Sequence, residues 1–160
     1  MRKYCLLLLL PVLLLGCTSE ETFETVSDEI VSPVMAMPRN ITVRLPDDAV
    51  SPVLESDTRQ IYMSEEYEIT IETVSAGDLD ATVRNLSGYG KDQLTVVETQ
   101  ADTVKRYDFV WVSTGEQGER LGRGVILDDG EFHYCMSAIR DAKKQTQIVW
   151  SDVFQSFALI

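Results

Sequence analysis

The residue types that do chemistry are thinly spread along this chain. It has one histidine, His133, and three cysteines, Cys5, Cys17 and Cys135. His133 and Cys135 stand two apart in the run Phe132-His133-Tyr134-Cys135-Met136, so on a strand both side chains leave the same face. A cysteine beside an imidazole is the start of a thiolate nucleophile, in which the histidine takes the thiol proton. No Asn or Asp that would orient the imidazole stands out, and the plainer reading of Cys135 is a small buried apolar side chain. One histidine and one free cysteine cannot build a zinc site, which wants several such ligands. Asp128-Asp129-Gly130-Glu131 is acidic and compact but lacks the D-x-D-x-D-G spacing of a calcium loop. A hairpin turn explains it more simply. The nucleophile elbow G-x-S-x-G, the P-loop and H-E-x-x-H are all absent. A carboxylate hydrolase needs two acids across a cleft, and the 26 acidic residues nominate no pair. The expectation is therefore no metal, no cofactor and no catalytic set.

Two other groups are candidates for binding. Gly118-Glu119-Arg120-Leu121-Gly122-Arg123-Gly124 places two arginines among three glycines in an acidic chain. Arginine offers paired donors, so Arg120 and Arg123 are candidate contacts for a carboxylate or another anion. The competing reading is a glycine-rich turn entering a strand, with Arg123 paired to a neighbouring acid. Tyr107, Phe109 and Trp111 alternate, and Trp111 and Tyr107 would line a pocket if the covering helix left a gap.

These groups must be positioned by a sheet. Ile41, Val43 and Leu45 alternate with polar residues, and Arg59 to Met63 reads as a strand. Tyr67, Ile69 and Ile71 alternate with Glu66, Glu68, Thr70 and Glu72, which suits an antiparallel sheet with one face packed and one wet. Asp78 is a good N-cap for a short helix with Leu79, Val83 and Leu86 on one face, and Gly88 is placed to stop it. Strands follow at Leu94 to Thr99, Val104 to Ser113, Arg120 to Asp128 and Glu131 to Ala138, the last two joined through Asp129-Gly130. Val149, Trp150, Val153, Phe154 and Phe157 form a helical stripe within residues 143–157, and Ala158-Leu159-Ile160 adds a short terminal strand. No βαβ alternation runs through the chain. The fold class is α+β: a mostly antiparallel sheet of about six to seven strands, a short inserted helix, and a C-terminal helix packed on the sheet.

The N-terminus carries a separate message. Arg2-Lys3 precedes an apolar run from Leu6 to Leu15, too short for a bilayer span of roughly 20 residues and right for an export signal. Leu14-Leu15-Gly16-Cys17 resembles the lipobox of bacterial lipoproteins. That resemblance implies cleavage after residue 16, lipidation of Cys17, and tethering at the extracytoplasmic face of the cell membrane or the outer membrane. Residues 17–39 then form the anchor and a flexible acidic tether, about 25 Å in root-mean-square span, and residues 40–160 a single domain. Losing Arg2 and Lys3 reduces the 14 basic side chains to 12 against 26 acidic ones, so the side-chain charge moves from −12 to −14. Such a surface repels nucleic acid and favours basic partners. Only Cys135 remains as a thiol, so no intramolecular disulfide is available.

The order of elements, and above all the ending, resembles the PsbP-like (Mog-type) α/β/α sandwich. That ending is the strand Phe132-His133-Tyr134-Cys135-Met136-Ser137-Ala138, a charged loop, and a helix closing with Val153-Phe154-Gln155-Ser156-Phe157. The resemblance implies a largely non-enzymatic binding or assembly factor, and it carries no functional residue across. The leading expectation is a membrane-anchored, non-catalytic binding or assembly module with a protein partner at the cell envelope. One alternative is an acidic inhibitor or binder of a basic envelope enzyme such as a lysozyme. Another is a small hydrolase using carboxylates or the Cys135/His133 pair.

Overall fold

The computed structural model describes residues 36–115, 118–144 and 146–160. The expected signal segment, Cys17 and most of the acidic tether lie outside the described residues. Among those described, no helix is long and apolar enough to cross a membrane.

The architecture is α+β and mostly antiparallel. Strands β2 (Leu54–Glu55), β3 (Arg59–Met63), β4 (Tyr67–Ser75), β5 (Val96–Ala101), β6 (Val104–Gly115), β7 (Gly118–Asp128) and β8 (Phe132–Asp141) form a seven-stranded sheet in the order β2-β3-β4-β8-β7-β6-β5. A two-stranded ribbon joins β1 (Ile41–Thr42) to β9 (Ala158–Leu159). The topology is two meanders, β2-β3-β4 and β5-β6-β7-β8, the second closing on the first through nine β4–β8 pairs from Tyr67↔Arg140 to Ser75↔Phe132. Helix α1 (Leu79–Ser87) connects them, followed by a 3-10 turn at Lys91–Gln93.

The local signals for α1 act as expected. The Asp78 side chain accepts from the Asp80 N–H, and Gly88 ends the helix in the left-handed region at φ 82°. That conformation disfavours any residue with a Cβ. The Asp129-Gly130 hairpin also forms, with Gly130 at φ 94°. Its acids are spent on the turn itself. Asp129 Oδ1 accepts from the Glu131 and Phe132 N–H groups, and Asp128 Oδ1 from the Gly130 N–H.

The pleat sends alternate side chains to two hydrophobic clusters. On one face lie Tyr107, Phe109, Trp111, Ile126 and Cys135, joined by Val83 of α1. On the other lie Tyr67, Ile69, Ile71, Val125, Leu127, Tyr134, Met136 and Ala138, joined by Val153, Phe154 and Phe157 from helix α2 (Trp150–Ser156) and its end. We call these the Trp111 face and the Phe154 face. Among the described residues, both clusters and the side chains packed against them are drawn from residues 41–159, within the compact unit formed by residues 35–160. This unit carries a hydrophobic core, which is what lets a domain fold on its own.

Several boundaries differ from the sequence pattern. The first strand covers only Ile41–Thr42 because β9 offers it two partners; Val43 and Leu45 still pack on the Phe154 face without a ladder. Strand β8 continues past Ala138 to Asp141, into the segment expected to be a charged loop. Helix α2 is seven residues long and does not start at residue 143. Before it, the Lys143 N–H bonds the Asp141 carboxylate and the Ile148 N–H bonds the Thr146 hydroxyl. These side-chain acceptors hold the backbone in turns and compete with helix. The stretch Gly118–Gly124 is not a turn entering a strand but lies within β7.

Candidate functional site

The glycines of that stretch serve packing. A Cβ on Gly122 would overlap the Trp111 indole, and one on Gly124 would meet the Phe109 ring. The two rings stack at 5.8 Å over a floor without side chains. Arg120 and Arg123, three apart on one strand, leave opposite faces. They do not form one anion site. Arg120 borders a small polar hollow with Glu65, Glu66, Asp141 and Lys144, of about 240 Å³.

Arg123 is held on the Phe154 face. Its guanidinium lies 4.4 Å from the centre of the Phe154 ring, and Nη2 is 3.5 Å from Asp108. Asp108 is also gripped by Arg106, through Nε at 2.7 Å and Nη2 at 3.2 Å. The same Arg106 donates to the Phe154 and Phe157 carbonyls at 2.9 and 3.2 Å. The C-terminal end of α2 thus has its unpaired acceptors satisfied by a cation from β6.

Because α2 is short, it leaves part of the Phe154 face uncovered. The result is a largely apolar groove of about 430 Å³, lined by Val110, Val112, Leu121, Ala138, Trp150 and Phe154 and bordered by Arg123 and Arg140. Its volume falls in the range of small-molecule sites. Val110 is 62% exposed and Val112 46%. Arg140, on the strand next to Arg123, makes no ion pair among the described residues; its Nη1 has only long contacts of 3.5 Å to the Asp141 and Lys144 carbonyls. Trp150 meets Tyr67 edge-on at 5.4 Å, and its Nε1–H is buried without an acceptor among the described residues.

The other sequence candidates lie elsewhere. Trp111 and Tyr107 are each 5% exposed in the Trp111-face cluster. The Trp111 side chain is directed away from the groove, so Trp111 contributes only its backbone to the floor. Burial, with the charges of Glu98 and Asp128, raises the Tyr107 hydroxyl above the usual tyrosine range, and Lys91 Nζ sits 5.8 Å from the ring centre.

His133 and Cys135 share the Trp111 face as the spacing requires, and both are buried. His133 Nδ1 is 2.9 Å from the Thr82 hydroxyl, and Nε2 is 3.8 Å from Asp128. Burial, with the Glu72 charge, pushes the Cys135 thiol far above the ordinary thiol range. It is held as a neutral core group, away from solvent, and the thiolate is the form that reacts.

No group of three or more His, Cys, Asp or Glu side chains is arranged to hold a metal ion among the described residues. Sequence reasoning missed the groove itself. The signal was there in Val110-Trp111-Val112, apolar on both faces of one strand, but Arg140 was hidden in the supposed loop. None of the family models, curated proteins or solved structures compared with the chain matches it.

Proposed function

We propose that this protein is a lipid-anchored, extracytoplasmic binding module of the cell envelope, non-catalytic, which uses the groove beside α2 as its binding site. The groove is the observation that carries the reading: exposed valines, a tryptophan and two arginines converge where the helix stops short. The lipobox-like Leu14-Leu15-Gly16-Cys17 supports the anchoring. A PsbP-like α/β/α sandwich remains part of the proposal. It is supported by Val83 joining one sheet face and Val153 and Phe154 the other.

Anchoring is tested by metabolic labelling with a palmitate analogue. Label is expected on the wild-type chain and none on Cys17→Ser; an unlabelled wild type, or a labelled variant, rejects it. Binding through the groove is tested by native mass spectrometry of the protein purified under mild conditions. A copurified ligand is expected on the wild type and not on Val110→Glu. A ligand retained by Val110→Glu places the site elsewhere.

A further inference from the structure

We infer that the groove takes a free, single-tailed organic anion: an apolar chain along Val110, Val112, Leu121 and Ala138, with an acid head at Arg123 and Arg140. The inference rests on the groove reading above and names its ligand class. Three observations carry it. The floor is apolar and half-exposed, with Val110 and Val112 on strand β6 facing the space α2 does not cover. In β7 and β8, Leu121 pairs with Arg140 and Arg123 with Ala138, so the two arginines are diagonal neighbours on one face. Diagonal partners lie about 7–8 Å apart, close enough for two guanidiniums to share one acid head. Finally, these two cations stand together in a chain whose net charge is −12.

The two arginines differ in role. Arg123 is oriented by Asp108 and the Phe154 ring, and Asp108 already shares its charge with Arg106. Arg140 has no carboxylate partner among the described residues and keeps its full charge for the ligand.

The test is calorimetric titration of the folded domain, residues 35–160, with decanoate, decyl phosphate, decylamine and decanol. Decanoate and decyl phosphate are expected to bind at one site, and decylamine at least about tenfold more weakly. Arg140→Met keeps the apolar stem and removes the charge. It should weaken decanoate about tenfold, as the loss of a charged hydrogen bond predicts, and leave decanol unchanged. Val110→Glu should abolish binding; the site is exposed, and matching thermal melts confirm that the fold is kept. Equal affinity for acid and amine, or indifference to Arg140→Met, overturns the acid head while Val110→Glu sensitivity keeps the groove reading. Binding that survives Val110→Glu overturns both, and no binding by any of the four probes overturns the inference. Flotation with phosphatidylglycerol vesicles separates the sources: Val110-dependent vesicle binding without decanoate binding assigns the site to membrane lipid and rejects a free ligand.

Discussion

Single side chains in this domain are informative mainly through their partners. Asp129 builds the β7–β8 turn and accepts the Tyr134 hydroxyl at 2.8 Å. Burial alone would raise its carboxyl, but the Phe132 N–H, Tyr134, the Glu131 N–H and the Arg39 charge together hold it below the usual carboxylate range. A depressed folded value means that the unfolded chain binds more protons below about pH 4, the ordinary value for aspartate. The stabilisation is therefore present above about pH 4 and lost as pH falls through the folded value. Asp129→Asn keeps an acceptor oxygen and removes the titration. Its urea stability is expected to fall less steeply than wild type below about pH 4, and parallel curves would show that Asp129 has no part in the acid transition. Trp150 makes the opposite case, a donor without an acceptor among the described residues. An unsatisfied buried group costs about 1–3 kcal/mol, which offsets much of what the larger ring gains in contacts. Trp150→Phe is expected to stay within about 1 kcal/mol of wild type in urea denaturation. A loss above about 3 kcal/mol would mean that the indole N–H is satisfied in solution.

Whole elements are set by two glycines and one arginine. β6 and β7 approach closely because Gly122 and Gly124 leave room for Trp111 and Phe109. Gly122→Ala should cost about 1–3 kcal/mol, as overpacking of a filled core does. Thermal denaturation measures it, and an unchanged midpoint would show that the indole swings aside without penalty. Helix α2 lacks a side-chain N-cap and is secured at its other end by Arg106. Arg106→Met strips donors from the Phe154 and Phe157 carbonyls and leaves Asp108 with Arg123 alone. It should destabilise by about 1.5–3 kcal/mol, the range for hydrogen bonds to a charged group. Hydrogen exchange should rise first in residues 150–157; a rise confined to β6 would place the loss elsewhere. The stripe from Val149 to Phe157 was legible as helix, but its start was not. Thr146 and Asp141 act on backbone groups that periodicity does not register.

At the scale of the molecule, two ends of the Phe154 face differ. Residues 36–40 enter beside Tyr134, whose hydroxyl accepts from the Arg39 N–H at 2.8 Å. The groove lies toward Arg140, about 20 Å further along β8 at the usual rise per residue. Chain entry and candidate site are thus at opposite ends of one strand. The net charge of −12 is the only observation behind an inhibitor of basic enzymes. The groove reading expects lysozyme turnover to be unchanged by the domain at low and moderate salt. Salt-sensitive inhibition would favour the alternative. The chain's local chemistry by itself determined the Asp78-to-Gly88 helix, the Asp129-Gly130 hairpin and the buried face of β4. Capping, left-handed glycine and two-residue alternation act within a few neighbours. Only the tertiary structure decided that β8 closes on β4, that Arg123 is tied to Asp108 and Arg140 is not, and that α2 leaves a groove. Each of these depends on residues far apart in sequence meeting across the sheet, and no local pattern encodes which strands become neighbours.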